Sequence, residues 1–177
     1  MLLFTQLLIV PHVVNSQLSW EVQNPLPPKN HLHSIAFVND ITAIAEGEYG
    51  TIVRTTNGGT TWTSQRSGTS KHLLGVCFTD LRTGTVVGGW GTILQTSDGG
   101  STWIRQSSGT TQPLYDVCFK EPHTGTAVGH YGTILRTTDG GTTWTVEAQA
   151  TSIGLYAVCF SKPSIWTAVG DNGTILR

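Results

Sequence analysis

Short runs of apolar, β-branched and aromatic residues alternate with turn-forming residues along the chain. In the stretch 73–106 the apolar runs are Leu73–Thr79, Thr85–Gly88, Thr92–Thr96 and Ser101–Gln106. Glycine, aspartate and serine separate the runs, and no apolar pattern has the helical period of 3.6 residues. The pattern therefore predicts four short strands and an all-β protein.

This four-strand pattern recurs along the chain with a constant period. The octapeptide Thr-x-(Asp/Asn)-Gly-Gly-x-Thr-Trp begins at positions 55, 96 and 137, a step of 41 residues each time. A repeat of this length is one supersecondary unit, which buries its apolar faces only by stacking on copies of itself. Four strands in about 40 residues match one blade of a β-propeller. We therefore predict a β-propeller built from 41-residue, four-stranded blades.

The repeat also predicts how the chain is divided. Beyond an N-terminal segment, residues 17–177 are interpreted as one β-propeller segment. Its parts are an isolated strand at 18–24, blades at 31–65, 72–106 and 113–147, and an incomplete blade at 154–177. Two interpretations follow. The chain is a segment of about three and a half to four blades from a larger ring, which we favour, or the isolated strand completes the last blade and closes a four-bladed ring.

The octapeptide has a local physical explanation. Asp-Gly or Asn-Gly between two strands is a strong hairpin signal, since glycine accepts positive φ and the preceding side chain accepts backbone hydrogen bonds. The tryptophan is large enough to anchor the hairpin to its blade. We predict a structural role for the box residues, which are Asn57, Gly58, Gly59, Trp62, Asp98, Gly99, Gly100, Trp103, Asp139, Gly140, Gly141 and Trp144.

The boxes resemble the Asp-box repeats, also called BNR repeats, of sialidases, sortilin-type receptors and some glucanases. The longer pattern Val-Gly-x-x-Gly-Thr-Ile-Leu-x-Thr-x-Asp-Gly-Gly-x-Thr-Trp, at Val87–Trp103 and Val128–Trp144, resembles the photosystem II stability/assembly factor family of propellers. This resemblance extends over about Trp20 to Arg177 and implies a propeller that binds a protein partner. The first box departs by carrying Asn57, whose remaining carbonyl acceptor should preserve the turn.

Composition and charge limit the choice of partner. Charged residues make up 12% of the chain, against about 25% in typical soluble domains, and the formal net charge is −1. No basic run is present, so there is no electrostatic case for binding nucleic acid. We expect no nucleic-acid partner.

An export signal is predicted at the N-terminus. Residues 1–16 contain the apolar stretch Leu2–Val10, which matches the core of a signal peptide and is too short to span a bilayer. No lysine or arginine precedes it, so a buried strand is the alternative. Export would place the protein in the periplasm, the thylakoid lumen or the extracellular space, without a stable membrane span.

The cysteines and histidines give no prediction of a metal site or cofactor. Cys77, Cys118 and Cys159 follow the 41-residue period, with Ala36 in the same slot, which predicts a small buried position. Metal-binding spacings such as CxxC are absent. His31 and His33 form an HxH pair that we interpret as loop histidines, and we expect neither metal nor cofactor.

Two repeated series are candidates for binding. Tyr49, Trp90 and Tyr131 fall in the turn between the second and third strands, on the rim opposite the boxes, where exposed aromatics favour recognition. Packing against the next blade is the alternative. The second series, Arg54, Arg136 and Arg177, ends the third strands, and the resembled family is associated with an arginine-rich surface for its protein partner. The alternative for these arginines is capping of strand ends.

No catalytic constellation is recognisable in the sequence. The arginine triad, the Tyr/Glu nucleophile pair and the Phe-Arg-Ile-Pro-like segment of sialidases are missing, and most carboxylates fall in turns. We therefore predict a non-catalytic, exported propeller that binds another protein. The alternatives are a fragment of an Asp-box glycoside hydrolase, sialidase- or glucanase-like, and a carbohydrate-binding propeller.

Overall fold

Short antiparallel strands account for the regular structure of the chain. The computed structural model describes residues 30–147, 151–161 and 165–177. Within these ranges the chain forms fifteen strands and four single 3₁₀ turns, and no longer helix. The predicted signal peptide at 1–16 and the isolated strand at 18–24 lie outside the described residues.

The strands form four separate sheets, each an antiparallel meander in which neighbours in sequence are neighbours in space. The first sheet contains β1 (Leu32–Phe37), β2 (Ala43–Gly47), β3 (Ile52–Thr55) and β4 (Thr63–Gln65). The second contains β5 (Leu73–Phe78), β6 (Gly84–Gly88), β7 (Thr92–Thr96) and β8 (Ile104–Gln106).

The third and fourth sheets repeat this order. The third contains β9 (Leu114–Glu121), β10 (Thr124–Gly129), β11 (Ile134–Thr137) and β12 (Thr145–Val146). The fourth contains β13 (Leu155–Ser161), β14 (Ile165–Gly170) and β15 (Ile175–Leu176). Since each sheet is one propeller blade, the predicted all-β propeller of four-stranded blades is confirmed.

The core consists of three apolar clusters, one between each pair of successive sheets. Between the first two sheets, Ile44 and Ile52 pack against Leu73, Val86 and Leu94. The other two clusters occupy the corresponding interfaces further along the chain. Removing a side chain of this size from water contributes about 1.5–3 kcal/mol. The sheets are therefore held together mainly by burial between blades, as stacking of the repeats predicts.

The described residues form an open arc. Successive sheets pack through their first strands, β1 on β5, β5 on β9 and β9 on β13. On the outer side of the first sheet, Phe37 is 64% exposed, whereas Phe78 and Phe119 in the same slot are partly covered by their neighbours. The first and fourth sheets thus present apolar side chains at the ends of the arc.

Two details differ from the expected blade. The fourth strand of the second blade begins at Ile104 rather than Ser101, because Ser101 and Thr102 are held in the box turn by hydrogen bonds to Asp98. Glu46 is fully buried in β2, in the slot that Val87 and later valines fill. Across the described ranges, no helix has both the length and the apolar character needed to cross a membrane.

Candidate binding surface

The box turns close one end of the blades through a repeated hydrogen-bond network. In the third blade, Gly141 donates its amide to Thr137 Oγ1 at 2.9 Å, and Thr137 donates to Asp139 Oδ1 at 2.8 Å. Thr143 donates its hydroxyl to Asp139 Oδ2 at 2.6 Å and its amide to Oδ1 at 2.9 Å. These bonds from Thr143 are the largest cause that lowers the pKa of Asp139 to about 2. The Asp-box carboxylate therefore acts as the ionised acceptor of its own turn.

The asparagine of the first box preserves this turn with one bond reversed. Asn57 Oδ1 accepts from the Thr61 amide at 2.9 Å and from Thr55 Oγ1 at 3.0 Å, as the aspartates do. Asn57 Nδ2 then donates to Thr61 Oγ1 at 2.9 Å, where an aspartate would accept. The threonine hydroxyl serves as either donor or acceptor, so the expected survival of the turn is confirmed.

The box tryptophans anchor the hairpins inside the blades. Trp103 and Trp144 are buried, and their rings meet Phe78 and Phe119 edge to face, with centroids 6.3 and 6.1 Å apart. Trp144 Nε1 donates to the Gly141 carbonyl at 3.0 Å. Trp62 is only half buried. The box residues therefore contribute to packing within the blade and to formation of the turn.

The rim opposite the boxes carries the three candidate aromatics. Tyr49, Trp90 and Tyr131 are 63%, 65% and 55% exposed. The three rings are therefore exposed on the predicted rim, although the Tyr49 ring also contacts His72 of the next blade, and their role in binding stays a prediction. Each ring lies at the centre of a 3₁₀ turn between the second and third strands of its blade.

These aromatics occupy an unfavourable backbone conformation. Their φ values are 54°, 59° and 51°, in the left-handed region, and Asn172 takes the same conformation in the fourth blade. Asparagine and glycine enter this region readily, whereas other residues pay roughly 1–2 kcal/mol. The turn geometry therefore favours asparagine or glycine, and three blades carry a large exposed ring instead.

Other side chains extend the aromatic rim. His72 lies beside Tyr49, with ring centroids 5.1 Å apart, and Lys71 Nζ lies 4.9 Å from the centre of the Trp90 ring. The rings of Tyr115 and Tyr156 are 5.2 Å apart. Sequence reasoning missed these two tyrosines, although their separation of one period is a signal that could have found them. The rim thus carries aromatic side chains on successive blades, with ring contacts between Tyr49 and His72 and among His130, Tyr131, Tyr115 and Tyr156.

The arginine series does not form a comparable surface. Arg54 Nε donates to the Gly99 carbonyl of the next blade at 2.9 Å, and Gln95 Nε2, one period later, donates to the Gly140 carbonyl at 2.6 Å. This slot therefore links neighbouring blades. Arg136 pairs with Glu147 at 3.8 Å.

Arg136 and Arg177 share one cavity between the third and fourth sheets. The cavity has a volume of about 310 Å³ and is also lined by Glu147, Trp166 and apolar strand residues. The guanidinium carbon of Arg136 lies 5.7 Å from the centre of the Trp166 ring. Arg54 lies two blades away. Only two members of the predicted series are therefore brought together.

The two carboxylates with raised pKa values are Glu46, which is fully buried, and Asp116, which is half buried. Burial raises the pKa of Glu46 to about 8, and neither of its oxygens has a hydrogen-bond partner. Burial also raises the pKa of Asp116, whose oxygens accept from the amides of Val117 and Val158, each at 2.8 Å. Neither group is presented to a substrate as a paired acid and base would be.

The cysteines are free thiols in the first strands of three blades. Cys77 and Cys118 are half buried, and burial raises the pKa of Cys118 to about 11. The predicted buried slot is thus only partly met at Cys77 and Cys118, and it is wrong for Cys159, which is exposed. The reason is that, among the described residues, no further sheet covers the outer face of the fourth.

These features define an open β-propeller arc with Asp-box turns at one end and an aromatic rim at the other. The model of the family described as Photosynthesis system II assembly factor YCF48 matches residues 105–177. The resemblance to the assembly-factor propellers, first seen in the repeat pattern, is confirmed. None of the curated proteins that were compared matches the chain.

Solved structures share the fold. YCF48 bound to D1 peptide has a TM-score of 0.70 and 21% identity, over 84% of this chain and 49% of that chain. YCF48 from Cyanidioschyzon merolae has a TM-score of 0.69 and 22% identity, over 84% and 53%. An ancestral GH74 enzyme has a TM-score of 0.60 and 15% identity, over 83% and 25%. The chain spans about half the length of the two YCF48 structures, and at these identities the likeness shows the fold alone.

Proposed function

We propose that this chain is a non-catalytic, exported β-propeller scaffold that binds another protein through its aromatic rim, in the manner of an assembly factor. The observation that carries the proposal is the exposure of Tyr49, Trp90 and Tyr131 in left-handed turns. A tyrosine or tryptophan at this position costs the turn conformational free energy and still leaves more than half of the residue's surface in solvent. Such residues are the ones that dominate protein-binding surfaces.

The rim is a better candidate than the arginine series because its side chains are more exposed to solvent than Arg54 and Arg136. Arg54 is engaged by the Gly99 carbonyl, and Arg136 by Glu147. The three rim rings, by contrast, present more than half of their surface to solvent. An extended peptide that stacks on successive rings is the ligand chemistry that fits, since aromatic rings supply large contact area at low conformational cost.

A D1 peptide is the first probe, since a YCF48 structure of the same fold was solved with D1 peptide bound. The peptide is labelled, and its binding is followed by fluorescence anisotropy. Changing Tyr49, Trp90 and Tyr131 together to asparagine is expected to weaken binding by about tenfold or more. The substitution suits the turn, because Asn172 already occupies it in the fourth blade.

A matched control replaces exposed apolar residues outside the rim. Ile104 and Val146 are exposed on the outer strands β8 and β12. The substitutions Ile104→Asn and Val146→Asn are expected to leave peptide binding unchanged. Binding that survives the rim substitutions and is lost in Arg136→Ala would move the site to the arginine series. Binding that both sets of variants retain would contradict the rim proposal.

The hydrolase alternative has one supporting observation, the likeness of the fold to a GH74 enzyme. It predicts hydrolysis of a glucan or a sialoside, with activity lost when a pair of exposed carboxylates is neutralised. Turnover of either substrate by the purified chain would contradict the non-catalytic proposal. A carbohydrate partner has no support beyond this likeness of fold.

Export is a separate part of the proposal and rests on the sequence of residues 1–16. Expression in a bacterium, followed by fractionation and N-terminal sequencing, tests it. Cleavage before Gln17 and recovery outside the cytoplasm support export. An uncleaved chain retained in the cytoplasm would contradict it.

A further inference from the structure

Three metal-ligating side chains meet on the rim where the first blade joins the second. They are His33 in β1, Glu48 at the start of the turn after β2, and His72 just before β5. Their candidate ligand atoms all lie within 4.8 Å of one another. His33 and His72 are exposed and Glu48 is half buried, so the cluster is open to solvent on one side.

The backbone holds the three residues in place. The Glu48 amide donates to the His31 carbonyl at 2.9 Å, which joins the turn to the start of β1. The Gly89 amide donates to the His72 carbonyl at 2.8 Å. His33 lies in the register shift between Leu32 and Ser34, so it is placed by a β-bulge. The backbone contacts fix the attachment points of the three side chains, and the two imidazoles are exposed to solvent.

The other blades act as an internal comparison. One period later the three positions hold Leu74, Gly89 and Pro113, which offer no ligand atom from their side chains. Two periods later Tyr115 and His130 occupy the first two positions, with the Tyr115 hydroxyl 3.3 Å from His130 Nδ1. The first two positions therefore lie close together within a blade. Among the described residues, three ligating side chains come together only where the first blade joins the second.

We propose that His33, Glu48 and His72 form a binding site for a divalent transition-metal ion of the zinc class. Two imidazoles and one carboxylate suit Zn²⁺, Co²⁺ or Ni²⁺, whereas Mg²⁺ and Ca²⁺ prefer all-oxygen sites. Three protein ligands leave a fourth tetrahedral position open to water or to a group of a bound partner.

The geometry and local charge support this site. In a tetrahedral zinc site with bonds of about 2.0–2.2 Å, ligand atoms are separated by about 3.4 Å. A rotation of the exposed imidazoles closes the remaining gap, since surface side chains change rotamer readily. Glu48 supplies a negative charge, and the neighbouring Lys71 is directed over the Trp90 ring. The ion would join the first blade to the second, directly beside Tyr49.

The test uses the full chain after alkylation of its three thiols. Zn²⁺ binding is measured by calorimetry, and Co²⁺ binding is measured by visible absorption. One ion per chain is expected, with no comparable binding of Mg²⁺. His33→Ala, Glu48→Gln and His72→Ala are each expected to raise the dissociation constant by about tenfold or more. Circular dichroism of each variant verifies that the fold is retained.

Two other histidines provide the controls. His31 belongs to the same HxH pair but lies outside the cluster, and His123 lies at the opposite end of a blade, where its carbonyl accepts from Gly140. His31→Ala and His123→Ala are expected to bind the ion as the parent does. Absence of stoichiometric binding would overturn the site. The site would also be overturned if the three cluster variants still bound the ion, or if His31→Ala were the one substitution that removed binding.

Discussion

Arg54 Nε donates a hydrogen bond of 2.9 Å to the carbonyl oxygen of Gly99, 45 residues away, and so ties the third strand of the first blade to the box turn of the second. Gln95 and Gly140 repeat this contact one blade further on. The residue that ends the third strand therefore has a structural role at two interfaces. The hydrogen bond between blades accounts for an arginine at position 54, so no binding partner is needed to explain this residue.

Arg54→Ala is expected to lower the free energy of unfolding by about 1–2 kcal/mol, because a hydrogen bond from a charged donor is lost. Urea unfolding measures the change. Arg105→Ala, on the exposed strand β8, is the matched control and should change stability little. Equal stability of the two variants would contradict the structural role of Arg54.

Trp103 anchors its box through burial and an edge-to-face contact with Phe78. Trp103→Ala is expected to lower the free energy of unfolding by ~3–5 kcal/mol, as for truncation of other buried aromatics. Thermal or urea unfolding of the full chain tests this. Ile104→Ala, at a neighbouring side chain that is 64% exposed, should have a small effect. A loss below ~1 kcal/mol in Trp103→Ala would exclude the anchoring role.

Glu46 makes the stability of the first blade depend on pH. Burial raises its pKa from 4.5 to about 8, so the folded state retains a proton that the unfolded state has released. The stability contribution of this group is fully present below pH 4.5 and is lost as the pH rises towards 8. The expected slope is a decrease in unfolding free energy of roughly 1 kcal/mol per pH unit within that window.

Glu46→Val tests this origin of the pH dependence. Valine fills the same slot in the other three blades, and it removes two buried oxygens that have no hydrogen-bond partner. The variant is expected to be more stable than the parent at pH 8 and to lose most of the slope between pH 5 and 8. Asp40→Asn, at an exposed carboxylate, should retain the slope. An unchanged slope in Glu46→Val would contradict the assignment.

Repetition explains why so much of the fold was predictable. The spacing of Thr55, Thr96 and Thr137 predicted the blade, since a turn box of this type is a local structure whose hydrogen bonds are made by its own residues. The positions of Trp90 and its equivalents on the rim followed from the strand order. Their left-handed φ did not, because aromatic residues carry no propensity for it.

The architecture follows from the sequence alone, because local turn chemistry and a constant period act within one blade and repeat without change. The differences between equivalent residues in different blades depend on the packing of the sheets. Phe37 is exposed while Phe78 is partly covered, Arg54 bonds to the next blade while Arg136 pairs with Glu147, and His33 meets His72 across an interface. These differences depend on which sheet lies alongside, and contacts between residues about 40 positions apart are set by packing rather than by local pattern.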